Sequence, residues 1–112
     1  MFITNVCCEA VIDVTRNESM AATEMTIVHK TDRFCHHDAC EVSKLALRAR
    51  TARRVIIDLR HAGEAETSAF AQLVQLRRFL LRTGRDLSLA GLRDRAAGLY
   101  EVNRLDTILP RN

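Results

Sequence analysis

At 112 residues the chain has the length of one domain with one core, and a second domain is excluded. Hydrophobic residues make up 47% and charged residues 28%, the balance of an ordinary globular chain, which excludes disorder, collagen and coiled coil. The net charge of +3 is small and its arginines are interleaved with acids, while one Tyr, four Phe and no Trp are too few for a base-stacking platform, so no direct contact with nucleic acid is expected.

The N-terminal stretch MFITNVCCEAVIDV has no Lys or Arg before Arg16 and carries Glu9 and Asp13 inside its apolar run. Neither feature suits a secretory leader, so a cytoplasmic chain with reduced thiols is expected. Ala10 to Thr15 and Met25 to His29 read as two strands joined as a hairpin through a polar stretch. From His37 to Arg50, Ala39, Cys40, Val42, Leu45, Ala46 and Ala49 fall on one face and charged residues on the other, which predicts the first helix. Arg53 to Leu59 is a β-branched apolar run bounded by charge, the pattern of a central strand buried on both faces.

Gly63 lies in the loop that follows. Ser68 to Arg82 then spaces Ala69, Phe70, Leu73, Val74, Leu76 and Leu80 as an amphipathic helix. Thr67 or Ser68 can cap its first amides; Arg77, Arg78 and Arg82 crowd its last turns, where cations suit the dipole, and Gly84 ends it. Asp86 to Gly91 alternates as a strand with one wetter face, which completes a βαβ unit. Asp94 to Asn103 reads as a short third helix with Ala96, Leu99, Tyr100 and Val102 inward, before a last apolar patch at Ile108 and Leu109 that could form a short final strand. The order β-β-α-β-α-β-α predicts an α/β fold, a mixed sheet with helices mainly on one face. The longest uncharged stretch, Thr67 to Leu76, is far short of the roughly 20 residues needed to span a bilayer, so no membrane insertion is expected.

Chemistry finds little purchase. No dinucleotide fingerprint or P-loop lysine follows the central strand. Cys35, His36, His37 and Cys40, with Cys7 and Cys8 upstream, resemble a ligand set, but the spacing matches no usual zinc pattern and adjacent helical histidines diverge by about 100°. Ser68 with His61, or Cys35 with His36, could pair as nucleophile and base, yet nothing in the sequence fixes either pairing. The arginines at 77, 78, 82 and 85 could meet phosphate, although their place at a helix end explains them as a solvated face. No enzyme activity, metal or cofactor is expected. What remains is GEAETSAF, which presents two hydroxyls at a helix N-terminus. An added phosphate there would meet free amides, whereas the plainer role of the hydroxyls is a helix cap.

The stretch VIIDLRHAGEAETSAFAQLVQLRRFLLRTGRDLSLAGLRDRAAGLYEVNRLDTILP resembles the STAS family, named for sulfate transporters and anti-sigma-factor antagonists. It is similar to that family's strand ending in Asp-Leu, its acid-hydroxyl-Ser-small motif opening a helix, and its closing Leu-Asp-x-hydrophobic-Leu. DRFCHHDACEVSKLAL is similar in length and pattern to the family's first helix. The family's Asp-Ser-Ser-Gly or Asp-Thr-Ser-Ala corresponds here to Glu66, Thr67, Ser68 and Ala69, with Glu in place of Asp. Asp32 or a neighbour stands where Gly often precedes the first helix, and Arg104 stands where Gly commonly ends the last.

The resemblance implies a STAS-like domain over 1–112 and phosphorylation on Thr67. It also implies a partner-binding surface of Glu66, Thr67, Ser68, Ala69 and Phe70 with His36 and His37. The implied partner is a serine/threonine protein kinase that doubles as an anti-sigma factor, held by the unmodified protein and released by phosphate. The alternative is a non-catalytic STAS subunit of a transporter or signalling assembly. Oligomeric state is not legible in these residues.

Overall fold

A computed structural model describes residues 12–18 and 23–111. The sheet has four strands, β1 (Ile12–Glu18), β2 (Thr23–His29), β4 (Arg54–Asp58) and β6 (Asp86–Ala90), in the order β1-β2-β4-β6. β1 runs antiparallel to β2, and the other neighbours are parallel. The expected hairpin pairing is present, with β1 running on to Glu18 and β2 starting earlier, at Thr23; Ala10, at the start of the expected first strand, lies outside the described residues. Met25, Val55 and Leu87 are in register, as are Ile27, Ile57 and Leu89. All six are buried in one core, because strand side chains alternate faces and these positions share one.

Three helices follow the order expected: α1 (His36–Arg48), α2 (Thr67–Arg82) and α3 (Asp94–Val102). The crossovers β2-α1-β4 and β4-α2-β6 step the same way across the sheet, so a single hand puts both helices on one face, where the Gln72 amide donates to Ser43 Oγ at 3.4 Å. On the opposite face Thr26, Val28, Ser88 and Ala90 are half-buried. Val102 departs from its expected inward position: it is 80% exposed, since the last turn of α3 has left the core that Ala96 and Tyr100 reach. The final apolar patch adds only a bridge from Arg111 to Leu89.

A row of edge-to-face rings crosses the core, His29 to Phe34 at 5.1 Å, Phe34 to Phe70 at 6.4 Å and Phe70 to Tyr100 at 6.4 Å, geometry that suits the ring quadrupoles. Tyr100 donates its hydroxyl to the Leu109 carbonyl at 2.6 Å and so fastens the C-terminal segment. His29 is fully buried, with Nε2 2.8 Å from Asp38 Oδ2 in the first turn of α1.

Three elements are additional to the expected order: a 3-10 turn at Leu105–Thr107 and two short strands. β3 (Arg33–Phe34) and β5 (Glu64–Ala65) pair in parallel as a separate two-stranded sheet. Glu64 N–H donates to Asp32 O at 3.2 Å and Glu66 N–H to Phe34 O at 3.0 Å. Because each strand runs directly into a helix, this small sheet sets the N-termini of α1 and α2 side by side.

Candidate functional site at the paired helix N-termini

The site begins where β4 ends. Asp58 accepts bonds from the Arg60 amide at 3.0 Å and the Arg60 guanidinium at 2.9 and 2.6 Å, which turns the chain sharply out of the sheet. Gly91 makes room for that turn: its φ is +74°, and a Cβ there would lie 2.7 Å from Asp58 Oδ1 and 2.8 Å from Arg60 N. The chain then passes through β5 to Glu66, the residue at which α2 starts.

Glu66 does not cap its own helix. Its carboxylate reaches across the small sheet, where Oε1 accepts the His36 backbone N–H at 3.0 Å and Oε2 pairs with Arg33 Nη2 at 2.8 Å. The Cys35 side chain at the α1 N-cap does not cap the helix, so Glu66 satisfies an orphan amide of α1 from another element. The His36 amide holds the Glu66 carboxyl below its usual range against the opposing effect of desolvation, with smaller help from Arg33 and Ser68.

Neither Thr67 nor Ser68 provides the cap expected for α2. Thr67 is exposed, and exposed Ser68 turns its Oγ toward Glu66 Oε1 at 3.5 Å. The start of α2 therefore presents two hydroxyls beside an N-terminus that no side chain caps, at the positive end of the helix dipole. His36 stands over this corner: its Nδ1–H donates to the Ser68 carbonyl at 3.4 Å, which leaves Nε2 to accept from the Cys40 thiol at 3.6 Å. Exposed His37 lies 3.9 Å from Glu41.

Glu66, Thr67, Ser68 and His36 thus share one corner, whereas the contact of His37 is to Glu41 along its own helix. Ala69 and Phe70 do not share that corner: they are 0% and 2% exposed, because both sit on the stripe that α2 turns to the core, and Phe70 belongs to the ring row. Their expected contact with a partner is corrected to support from below. Their helical spacing with Leu73 already marked them as inward. Arg33 escaped the sequence reading, having no motif or period; a lone arginine before a helix gives no signal until the small sheet brings it to Glu66. Of the candidate nucleophiles, Ser68 turns its Oγ to Glu66, and His36 Nε2 has the Cys40 thiol beside it. Among the described residues no group of three or more His, Cys, Asp or Glu side chains could hold a metal ion. A shallow charged groove of about 450 Å³ adjoins the small sheet, lined in part by Arg33, Glu64, Arg93 and Asp94.

Four-stranded mixed sheet, helices on one face and a hydroxyl-bearing loop opening α2 define a STAS-like fold. The anti-sigma-factor antagonist SpoIIAA has this fold: its unphosphorylated structure superposes with a TM-score of 0.68 at 11% identity, covering 88% of this chain and 85% of that one. The phosphorylated form of SpoIIAA from Bacillus gives 0.62 at 11% identity, covering 88% of each chain. An uncharacterized DUF3478-family protein with a SpoIIAA-like fold, from Shewanella loihica PV-4, gives 0.57 at 12% identity over 100% of this chain and 88% of that one. No protein-family model matches the chain, and no curated protein sequence does. Among the described residues no helix is long and apolar enough to cross a membrane.

Proposed function

We propose that this chain is a single-domain, cytoplasmic, non-enzymatic anti-sigma-factor antagonist. In this reading it docks on a serine/threonine protein kinase that doubles as an anti-sigma factor, and phosphate on Thr67 ends the docking. The carrying observation is exposed Thr67 at an α2 N-terminus without a side-chain cap, beside the linked Ser68, Glu66 and His36. The kinase transfers the γ-phosphoryl group of ATP: Thr67 Oγ forms the new P–O bond, ADP leaves and the hydroxyl proton goes to the kinase's base. A docked partner covers this corner, so the dianion brings both desolvation and repulsion from acidic partner groups. A loss of about 3 kcal/mol, two decades in affinity, is enough to release the partner. Support also comes from SpoIIAA, whose fold this chain has and which exists in both phosphorylated and unphosphorylated forms.

The test is incubation with a partner-switching kinase and ATP, followed by peptide mass spectrometry. Phosphate is expected on Thr67, and Thr67→Ala is expected to bind the kinase yet resist modification. If wild type gains no phosphate and Thr67→Ala and Thr67→Glu both bind like wild type, the switch does not exist.

One observation favours a second reading. Glu66 is fixed to α1 rather than free beside Thr67, which suits a loop that only packs, as in a STAS subunit of a transporter or signalling assembly. A tight complex with a transporter ATPase and no phosphate on Thr67 would support it.

A further inference from the structure

The end of the molecule away from Thr67 carries an apolar groove edged by spare cations. α2 runs 16 residues, so its C-terminus lies about 22 Å from its N-terminus. There Leu47 of α1 and Phe79 of α2 line a groove of about 470 Å³ together with Arg50, Thr83 and Arg85, within the size range of ligand clefts. Leu47 is 40% exposed and Phe79 49%. Over the crest of α2, Phe79 continues into a second shallow depression with Arg78 and Arg82.

The arginines are not needed by the helix ends. Near the end of α2 the Leu80 and Leu81 carbonyls are taken by backbone amides: Thr83 and Arg85 donate to Leu80 O, and Gly84 donates to Leu81 O. At the end of α1 the buried Arg85 guanidinium donates to Ala46 O at 2.8 Å and Ala49 O at 2.9 Å, and the Arg50 amide donates to Arg48 O at 3.0 Å. Arg77, by contrast, is engaged with Asp86 at 2.8 Å. Among the described residues the guanidinium groups of Arg50, Arg78 and Arg82 have no carboxylate partner, so three cations stand unneutralised around an exposed aromatic ring.

We infer that this groove is a second docking surface, and that its occupant is an acidic amphipathic helix of a partner protein. Phe79 and Leu47 receive a large apolar anchor of that helix, and its carboxylates pair with Arg50, Arg78 and Arg82. Apolar walls have no use for a nucleic-acid backbone, and a concave cleft fits an inserted side chain better than a flat lipid surface. Because the groove lies at the opposite pole from Thr67, the protein can hold this partner whether or not the Thr67 corner is occupied.

The probe is a fluorescein-labelled synthetic helix of about sixteen residues, with Leu and Phe at i, i+3, i+4 and i+7 and Glu elsewhere on its surface. A peptide of the same pattern with Lys for Glu serves as control. Anisotropy is expected to rise with the acidic peptide and not with the basic one, with added salt weakening the complex. Phe79→Ala and the double variant Arg78→Glu, Arg82→Glu are each expected to weaken binding about tenfold or more, with unchanged circular dichroism since these side chains are exposed. Thr67→Glu is expected to bind the peptide like wild type, which separates this surface from the phosphate switch. The inference is overturned if the acidic peptide does not bind, if the basic peptide binds as well, or if Phe79→Ala is without effect. It is equally overturned if Phe79 governs binding to phosphatidylglycerol vesicles or self-association in sedimentation while the acidic peptide stays free.

Discussion

Glu66 differs from an aspartate in its place by one methylene, and that methylene decides which helix its carboxylate serves. A short acid at an N-cap bonds the amides of its own first turn, whereas Glu66 reaches the His36 amide of α1. Glu66→Asp is therefore expected to speed hydrogen exchange at the His36 amide and slow it in the first turn of α2, read by NMR. The lowered carboxyl of Glu66 also sets a pH window. A group with a depressed folded-state value adds stability that is fully present above its unfolded value, about 4.3, and lost as pH falls through the lower folded value. The His36 amide resonance should accordingly move in that acid range in wild type, and Glu66→Gln should remove the movement.

Arg104, where the resemblance pointed to a glycine, has a φ of +51°, a left-handed conformation that costs a side-chain-bearing residue about 1–2 kcal/mol. After the extra backbone freedom that glycine brings to the unfolded chain, Arg104→Gly is expected to stabilise the protein by up to about 1 kcal/mol, measured as a higher urea midpoint at unchanged m.

At the scale of elements, the features with a period were legible and the features without one were not. α2 and β4 announced themselves because Leu73, Leu76 and Leu80 recur at helical spacing and Val55, Ile56 and Ile57 are β-branched in sequence. β3 and β5 could not be found that way, since strands of two residues complete no alternation. Yet they fix the site, because they bring α1 and α2 to a common corner. The caps of α1 were hidden for a related reason: both arrive from distant parts of the chain, an acid from residue 66 at its N-terminus and a base from residue 85 at its C-terminus, each with the sign that suits the dipole. The sequence placed Arg85 on a solvated face, but it is 8% exposed and its Nε donates to Ala52 O at 2.5 Å while Nη2 holds Ala46 O and Ala49 O. A lysine has one ammonium and cannot reproduce that planar fork. Arg85→Lys should lower the unfolding free energy by about 2 kcal/mol, with a fall in the denaturation midpoint as the readout. An unchanged midpoint would mean that the fork adds nothing at this position.

Across the whole molecule, the residues that carry the fold and those proposed to carry the switch hardly overlap. The core is made by Ile27, Ile57, Leu73, Leu89 and the ring row from His29 to Tyr100, whereas Thr67 is exposed and absent from that core. That separation explains why a STAS-like layout was readable while the site was only partly so: burial imposes a period on the sequence, and a docking corner imposes none. It also makes the switch separable from stability. A charge placed on an exposed side chain away from buried partners changes stability by about 0.5 kcal/mol or less, and at the positive end of α2 a carboxylate meets no penalty from the helix. Under a partner, the same carboxylate must lose water against the docked surface. Thr67→Glu is therefore expected to keep the thermal midpoint and urea midpoint of wild type while its affinity for the kinase falls by up to about a hundredfold, or 2.7 kcal/mol. Calorimetric titration of the kinase with each form, beside matched unfolding curves, reads both quantities. Equal losses in stability and affinity would show that the variant acts by damaging the scaffold and would remove the ground for treating Thr67 as a switch.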